Sequence, residues 1–323
     1  MLAVHIENGC VTVRELPIPA RPPGYALLRL ICAGICNTDI ELLRGYYDFR
    51  GTPGHEFVAE VIETDDARLA GRRVVGEINL ACGDCEWCHR GLGRHCPRRT
   101  VLGIAGHPGA FSEFFTLPER NLHIVPDAIP VECAVFTEPL AAACEILDQV
   151  KIPRAAPVAV LGDGKLGLLI AQVLVAHGAA VHVFGRHPAK LEIARAAGAT
   201  VKLAGDELSQ AAFDWVVEAT GSAEGFDCAA RMVRPRGTVI LKSTVHSPLS
   251  IDTAPLVVNE ITLVGSRCGR FDPALWLLRK GRVNVGNMIA ARFPLAEAPR
   301  AFERAAGKGC LKVLLDSSGT GGK

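Results

Sequence analysis

Several features that would mark a specialised surface or an export route are missing from this chain. Formal net charge is only +1 and the Lys and Arg residues are scattered, so there is no basic face to hold nucleic acid or an anionic membrane. Aromatic residues make up 6%, which offers no hint of a large flat substrate. Met1–Glu7 lacks a basic segment followed by an apolar one, so no export signal is expected. No apolar run reaches the roughly 20 residues of a bilayer span, because Arg or other polar residues interrupt each one. No internal repeat is evident. The twelve cysteines, without an export signal, read as reduced thiols and metal ligands, and the cytoplasm is the expected compartment. The 323 residues are 49% hydrophobic and 21% charged, which amounts to about two foldable domains.

The most informative stretch is Cys82–Gly83–Asp84–Cys85–Glu86–Trp87–Cys88 followed by Cys96, a C-x2-C-x2-C-x7-C array. Thiolates two residues apart can wrap one Zn²⁺ tetrahedrally, and a closed shell of four leaves no position for substrate. Cys82, Cys85, Cys88 and Cys96 are therefore expected to fold a loop around a structural zinc. His89 and His95 read as surface residues. The plain alternative is four free buried thiols.

Upstream lie Ala33–Gly34–Ile35–Cys36–Asn37–Thr38–Asp39 and Thr52–Pro53–Gly54–His55–Glu56. A thiolate, an imidazole and a carboxylate from two short turns are the ligand types of an open, catalytic zinc. Each alone is weak, since Cys36 could be a buried thiol and His55 a satisfied core residue.

Val11–Arg14 and Ala26–Ile31 read as strands in a β-rich first half punctuated by Pro17, Pro19, Pro22, Pro23 and Gly24. The texture changes near residue 150. Pro157–Leu161 is an apolar strand, and Gly162–Asp163–Gly164–Lys165–Leu166–Gly167 opens a helix running toward His177. That is G-x-G-x-x-G between strand and helix, a turn suited to a dinucleotide pyrophosphate. Strands follow at Ala180–Phe184, Phe213–Glu218, Gly237–Leu241 and Ile261–Val264, with helices near 189–197 and 222–233. The alternation predicts a parallel, doubly wound sheet. NAD-binding turns place Asp or Glu at the end of the second strand to hold the ribose 2′-hydroxyl. Here Gly185–Arg186–His187–Pro188 stands there, the first acidic residue is Glu192, and Arg186 with Lys190 would welcome a 2′-phosphate. NADP(H) is favoured over NAD(H); the other reading has Arg186 stacking on adenine or facing solvent.

Taken together, the G-I-C-x-T-D turn at 34–39, G-H-E at 54–56, the four-cysteine lobe, Gly109–Glu113, Thr137–Ala141 and the glycine-rich turn resemble the zinc-dependent medium-chain alcohol and polyol dehydrogenases, in that family's order. The resemblance implies an α/β two-domain fold. A GroES-like β-rich catalytic domain would span 1–148 with the zinc lobe at 82–96, a Rossmann domain 149–268, and a return to the first domain 269–323. It implies that Cys36 and His55 bind a catalytic zinc, that Glu138 approaches as the third protein ligand, and that Glu56 ligates directly or trades with water. Asp39 would hold the His55 ring and Thr38 would pass on the substrate proton. Glu41 stands where many relatives complete that relay with His. Gly162, Gly164, Lys165, Leu166, Gly167, Arg186, His187 and Lys190 would meet the cofactor. Two zinc ions per chain, a small alcohol or carbonyl substrate and a homo-oligomer, dimer or tetramer, are expected. Lys312 reads either as a pyrophosphate contact or as an exposed strand-end lysine. Tyr46, Tyr47 and Phe49 read as pocket lining or core, and Asn37 as a possible phosphate contact. Cys10, Cys32, Cys133, Cys144, Cys228, Cys268 and Cys310 read as small buried hydrophobes. Two other classes fit parts of the pattern: a zinc-stabilised binding module, and a cofactor-binding relative without turnover that acts as a sensor or structural protein.

Overall fold

The computed structural model describes residues 1–204, 210–243 and 251–317. These fall into two compact units, Met1–Glu138 with the chain from Met288 onward, and Pro139–Asn287.

The first unit is built around the strand Tyr25–Ile35, whose run of Ala, Leu, Ile and Cys is buried along most of its length. It pairs antiparallel with Glu56–Glu63, Phe114–Pro118 and Lys312–Asp316 within a seven-stranded sheet. The hairpin Leu2–Glu7/Cys10–Glu15 turns through Asn8–Gly9, both at positive φ, the pairing that a tight hairpin favours. Phe111, Phe136 and Phe302 are among the largest fully buried side chains of this unit. The chain from Met288 adds the strand Ile289–Pro294, the helix Ala298–Ala306 and the closing strand Lys312–Asp316.

The second unit holds six parallel strands in the order Thr200–Leu203, Ala180–Gly185, Pro157–Leu161, Phe213–Glu218, Val233–Leu241, Thr262–Gly265. Numbered along the chain this is 3-2-1-4-5-6, the doubly wound dinucleotide-binding order. The central strand Pro157–Leu161 is buried from Val158 onward, which accounts for its unbroken apolar sequence. Helix Lys165–His177 follows at once and ends on Gly178 at φ 101°, a left-handed cap.

The unit boundaries fall ten to twenty residues away from those expected at 148/149 and 268/269. Helix Thr137–Gln149 straddles the first. The segment after 268 stays with the second unit because Arg270 pairs with Asp148 and the Asn284 N–H donates to Gln172. Strands Thr200–Leu203 and Ile289–Pro294 and helices Thr137–Gln149 and Ala298–Ala306 add to the expected elements. The stretch of small residues beyond Ser317 lies outside the described residues. No described helix is long and apolar enough to cross a membrane.

Candidate active site and nucleotide-binding turn

The four-cysteine lobe forms one sulfur cluster. Sγ separations are 3.8 Å for Cys82–Cys88, 3.4 Å for Cys85–Cys88, 3.7 Å for Cys85–Cys96 and 3.5 Å for Cys82–Cys96. A tetrahedron with Zn–S bonds of about 2.3 Å has edges of about 3.8 Å, so the donors suit zinc. They stand far outside the roughly 2 Å of a disulfide. His89 and His95 are exposed, as a four-sulfur shell requires.

The second donor set comes from three elements of the first unit. Cys36 caps the helix Asn37–Leu43, and its N–H donates to Asp39 Oδ2 at 2.8 Å. That bond turns Asp39, fully buried, so that its Oδ1 lies 3.4 Å from His55 Nδ1. Such a carboxylate fixes the ring and leaves the other nitrogen for a metal. His55 is delivered by Thr52–Gly54, which runs against Gly109–Phe111 through three backbone hydrogen bonds of 2.8–3.0 Å. Gly54 is obligatory there: its φ is +103° and a Cβ would lie 2.3 Å from the Phe111 ring. Ligand atoms of Cys36, His55 and Glu56 all lie within 4.8 Å of one another.

The electrostatics of this cluster suit a divalent cation. Burial works against a charge on His55, yet Asp39 and Cys36 beside it outweigh burial and raise its pKa well above the ordinary value. Glu56 is fully buried, with Oε1 lacking a hydrogen-bond partner among the described residues and Oε2 paired with the buried Lys312 ammonium. An orphaned buried carboxylate oxygen beside a thiolate and an imidazole is a donor set with room for a metal.

Glu138, in the first turn of Thr137–Gln149, is half-buried and is not a member of that 4.8 Å set. The structure thus gathers Cys36 and His55 with Glu56 rather than with Glu138. Thr38 Oγ1 lies 3.9 Å from Cys36 Sγ. Glu41 pairs with Arg44 on the same helix.

In the second unit the three motif glycines are distinguishable. Gly162 sits at φ +113°, where a Cβ would also meet the Ala219 carbonyl oxygen at 2.6 Å. A Cβ on Gly167 would lie 2.1 Å from the Gly162 carbonyl oxygen, so helix and turn touch there. Gly164 caps the helix with nothing within 4 Å of a would-be Cβ. Two glycines thus serve packing, and the third leaves open space where a pyrophosphate can approach the backbone. A cavity of about 460 Å³ adjoins this turn, lined among others by Asp163, Gly185, Arg186, His187, Thr220 and Arg231. Lys190 lies one turn into the following helix, half-buried, while Lys165 and Leu166 open the helix after Gly164.

Over 310 residues the chain is 31% identical to the D-altritol 5-dehydrogenase of Agrobacterium fabrum, covering 90% of this chain and 92% of that protein. The chain belongs to the zinc-type medium-chain dehydrogenases. The family model for the alcohol dehydrogenase GroES-like domain matches residues 22–127, and that for the zinc-binding dehydrogenase matches 166–279. Among solved structures, an alcohol dehydrogenase from Thermus sp. ATN1 is 32% identical with a TM-score of 0.90, covering 98% of this chain and 99% of that one. A zinc-binding dehydrogenase from Sinorhizobium meliloti 1021 bound to NADP is 29% identical with a TM-score of 0.88, covering 98% of both. The medium-chain dehydrogenase fold expected from the sequence, GroES-like unit plus doubly wound unit, is therefore the one present.

Two expectations need correction within this medium-chain dehydrogenase. Lys312 is not an exposed strand-end lysine: it is 1% exposed, paired with Glu56, and stands over the Phe136 ring at 5.7 Å. Burial opposes its charge, but Glu56 and Cys36 raise its pKa, so it stays an ammonium. Cys10 is exposed rather than buried, because it starts the second arm of the hairpin just past Asn8–Gly9. Cys32 and Cys144 are buried as expected, and Cys133, Cys228, Cys268 and Cys310 partly so. Tyr47 is exposed at φ 62° and, with Phe49, lines a surface pocket of about 970 Å³ in the first unit, whereas the Tyr46 ring packs on that of Tyr47 at a 36° tilt. Asn37 is exposed at the start of its helix.

Proposed function

We propose that this protein is a zinc-dependent alcohol or polyol dehydrogenase using NADP(H), acting on a small hydroxylated substrate or the matching carbonyl compound. The observation that carries this reading is the convergence of Cys36, His55 and Glu56 ligand atoms within 4.8 Å, with His55 and Glu56 buried. A zinc held there by Cys36, His55 and a carboxylate would supply Lewis acidity toward the substrate oxygen, and a nicotinamide cofactor would supply the hydride chemistry. The chain supplies everything else. Cys36 and His55 grip the metal, and Asp39 sets the tautomer and tilt of the His55 ring. A carboxylate completes the protein's share of the shell: Glu56 from the clustered set, or Glu138 from the first turn of Thr137–Gln149. Thr38 Oγ1, beside Cys36, accepts the substrate hydroxyl proton and hands it toward solvent. Cys82, Cys85, Cys88 and Cys96 hold a second zinc that shapes their loop.

The preference for NADP(H) rests on Gly185 and Arg186 at the end of the second strand, with Lys190 following. A guanidinium matches a phosphate, whereas the segment Gly185–Pro188 itself carries no acidic residue to hold a ribose hydroxyl. Curated relatives named as polyol dehydrogenases support the substrate class, including the sorbitol dehydrogenase of Halalkalibacterium halodurans, 27% identical. A homo-oligomer is supported by the edge strand Thr262–Gly265, with Leu263 exposed, and by exposed Val257 and Val258 on the helix before it.

Steady-state assays of a polyol, alcohol and carbonyl panel with each cofactor test the reading. Turnover with a kcat/KM for NADP⁺ above that for NAD⁺ is expected, and Cys36→Ser should abolish it. Light scattering should give a dimer or tetramer. A protein that loads two zinc ions and binds nucleotide yet turns over nothing in the panel is instead the non-catalytic relative.

A further inference from the structure

Asp163 stands between the first two glycines of the turn and is the one buried carboxylate among the described residues lining the nucleotide cavity. It reaches to the end of the neighbouring strand, where Oδ2 accepts the backbone N–H of Arg186 at 2.7 Å and of His187 at 2.6 Å. The carboxylate also lies 3.0–3.1 Å from His187 Nδ1. Gly185 is the other half of the arrangement. A Cβ at 185 would fall 2.6 Å from Asp163 Cβ and 2.7 Å from its Oδ2. No side chain, acidic or otherwise, fits at 185 while Asp163 keeps its place.

The two residues therefore form one device. Burial pushes the Asp163 carboxyl upward, but the His187 and Arg186 donors together bring its pKa below the ordinary value, so it is an anion. That negative charge is consumed by two backbone amides and an imidazole. The strand end stays bare, and the backbone of the residue that carries the guanidinium is clamped at the rim of the cavity.

We propose that Asp163 is a positioning residue that sets cofactor choice: by barring side chains from 185 and clamping Arg186 and His187, it holds the turn in the form that accepts a 2′-phosphate. This rests on the reading of the protein as an NADP(H) enzyme, and the test separates the two. Calorimetric titration of the zinc-loaded protein uses 2′,5′-ADP and 5′-AMP, which differ by the phosphate alone. The wild type should bind 2′,5′-ADP more tightly. Asp163→Ala should weaken 2′,5′-ADP by about tenfold, the size of one charge-assisted hydrogen bond, and leave 5′-AMP within a factor of about three. Asp163→Asn, which keeps an acceptor, should recover part of the loss. Should Asp163→Ala fold poorly, Gly185→Ala gives the same reading, since its methyl displaces Asp163 and should shift the ratio the same way.

A wild type that prefers 5′-AMP overturns the NADP(H) reading and this inference with it. A wild type that prefers 2′,5′-ADP, with variants that keep the same ratio, overturns the inference alone and leaves Asp163 a structural residue. Tighter 2′,5′-ADP binding by Asp163→Ala also overturns it, since the carboxylate would then act by repulsion.

Discussion

Lys312 and Glu56 form an ion pair sealed from solvent, although 256 residues separate them in the chain. The closing strand Lys312–Asp316 lies antiparallel to the end of Tyr25–Ile35, and Glu56 opens the strand on the other side of Gly34. Gly34 leaves the space: a Cβ there would meet Glu56 Oε2 at 2.8 Å and Lys312 Cδ at 3.0 Å. Removing one partner strands the other charge in the interior. Lys312→Met should therefore cost about 3–5 kcal/mol of stability in urea unfolding of the zinc-loaded protein. Glu56→Gln combined with Lys312→Met should cost clearly less than the two single changes added together. Additive costs would show that the two charges do not depend on each other.

The two donor sets should respond differently to loss of one thiolate. Wild-type protein should carry two zinc ions per chain by elemental analysis. Cys36→Ser should carry one, and its melting temperature should stay near that of the wild type, because the surrounding strands supply their own core. Cys82→Ser should also lose one ion, and the loop from 82 to 96 should become a site of rapid proteolysis, since metal binding and folding are one event there. Equal protease resistance of the two variants would remove the structural role from the cysteine lobe.

An alkaline prediction follows from Cys144 in the helix Thr137–Gln149. Burial, reinforced by Asp148 and partly offset by Lys242, pushes its thiol from the ordinary 9.0 up to about 12. A folded pKa above the unfolded one means that the contribution to stability is complete below pH 9 and is lost as pH rises from there toward 12. Between pH 8 and pH 10 the wild type should lose roughly 1 kcal/mol more than Cys144→Ala. Parallel urea-stability profiles for the two proteins across that range would show that the thiol ionises freely in the fold.

What could be read from the sequence, and what could not, divides by distance along the chain. Phe213–Glu218 was legible to the residue because its apolar run is bounded by turn-forming residues. The sulfur cluster and the Cys36 and His55 turns were legible because ligand chemistry is encoded in short spacings. Thr200–Leu203 was not, being a four-residue edge strand without a buried face to impose alternation. Ala298–Ala306 did carry its signal: Ala298, Ala301, Phe302 and Ala305 are buried at helical spacing, though small alanines make that stripe faint. The Glu56–Lys312 pair and the Asp163–Gly185 contact had no local signal. Each depends on which strands the fold sets side by side.

The three glycines of the turn give the sharpest contrast between packing and binding. A methyl on Gly167 would sit 2.1 Å from the Gly162 carbonyl oxygen, and backbone cannot yield there without moving the helix off the sheet. Gly167→Ala should lower stability by about 1–3 kcal/mol and weaken nucleotide binding as a consequence. Gly164 has an ordinary negative φ of −75° and open space around a would-be Cβ. Gly164→Ala should therefore cost at most about 1 kcal/mol, the difference between Gly and Ala as a helix cap. Its methyl would nevertheless occupy the space through which a pyrophosphate approaches the helix start, so dinucleotide affinity should fall by about tenfold or more. Calorimetry and thermal unfolding on the same two variants read both quantities. If Gly164→Ala bound nucleotide as the wild type does, the phosphates could not lie against that helix start, and the turn would be a packing motif only.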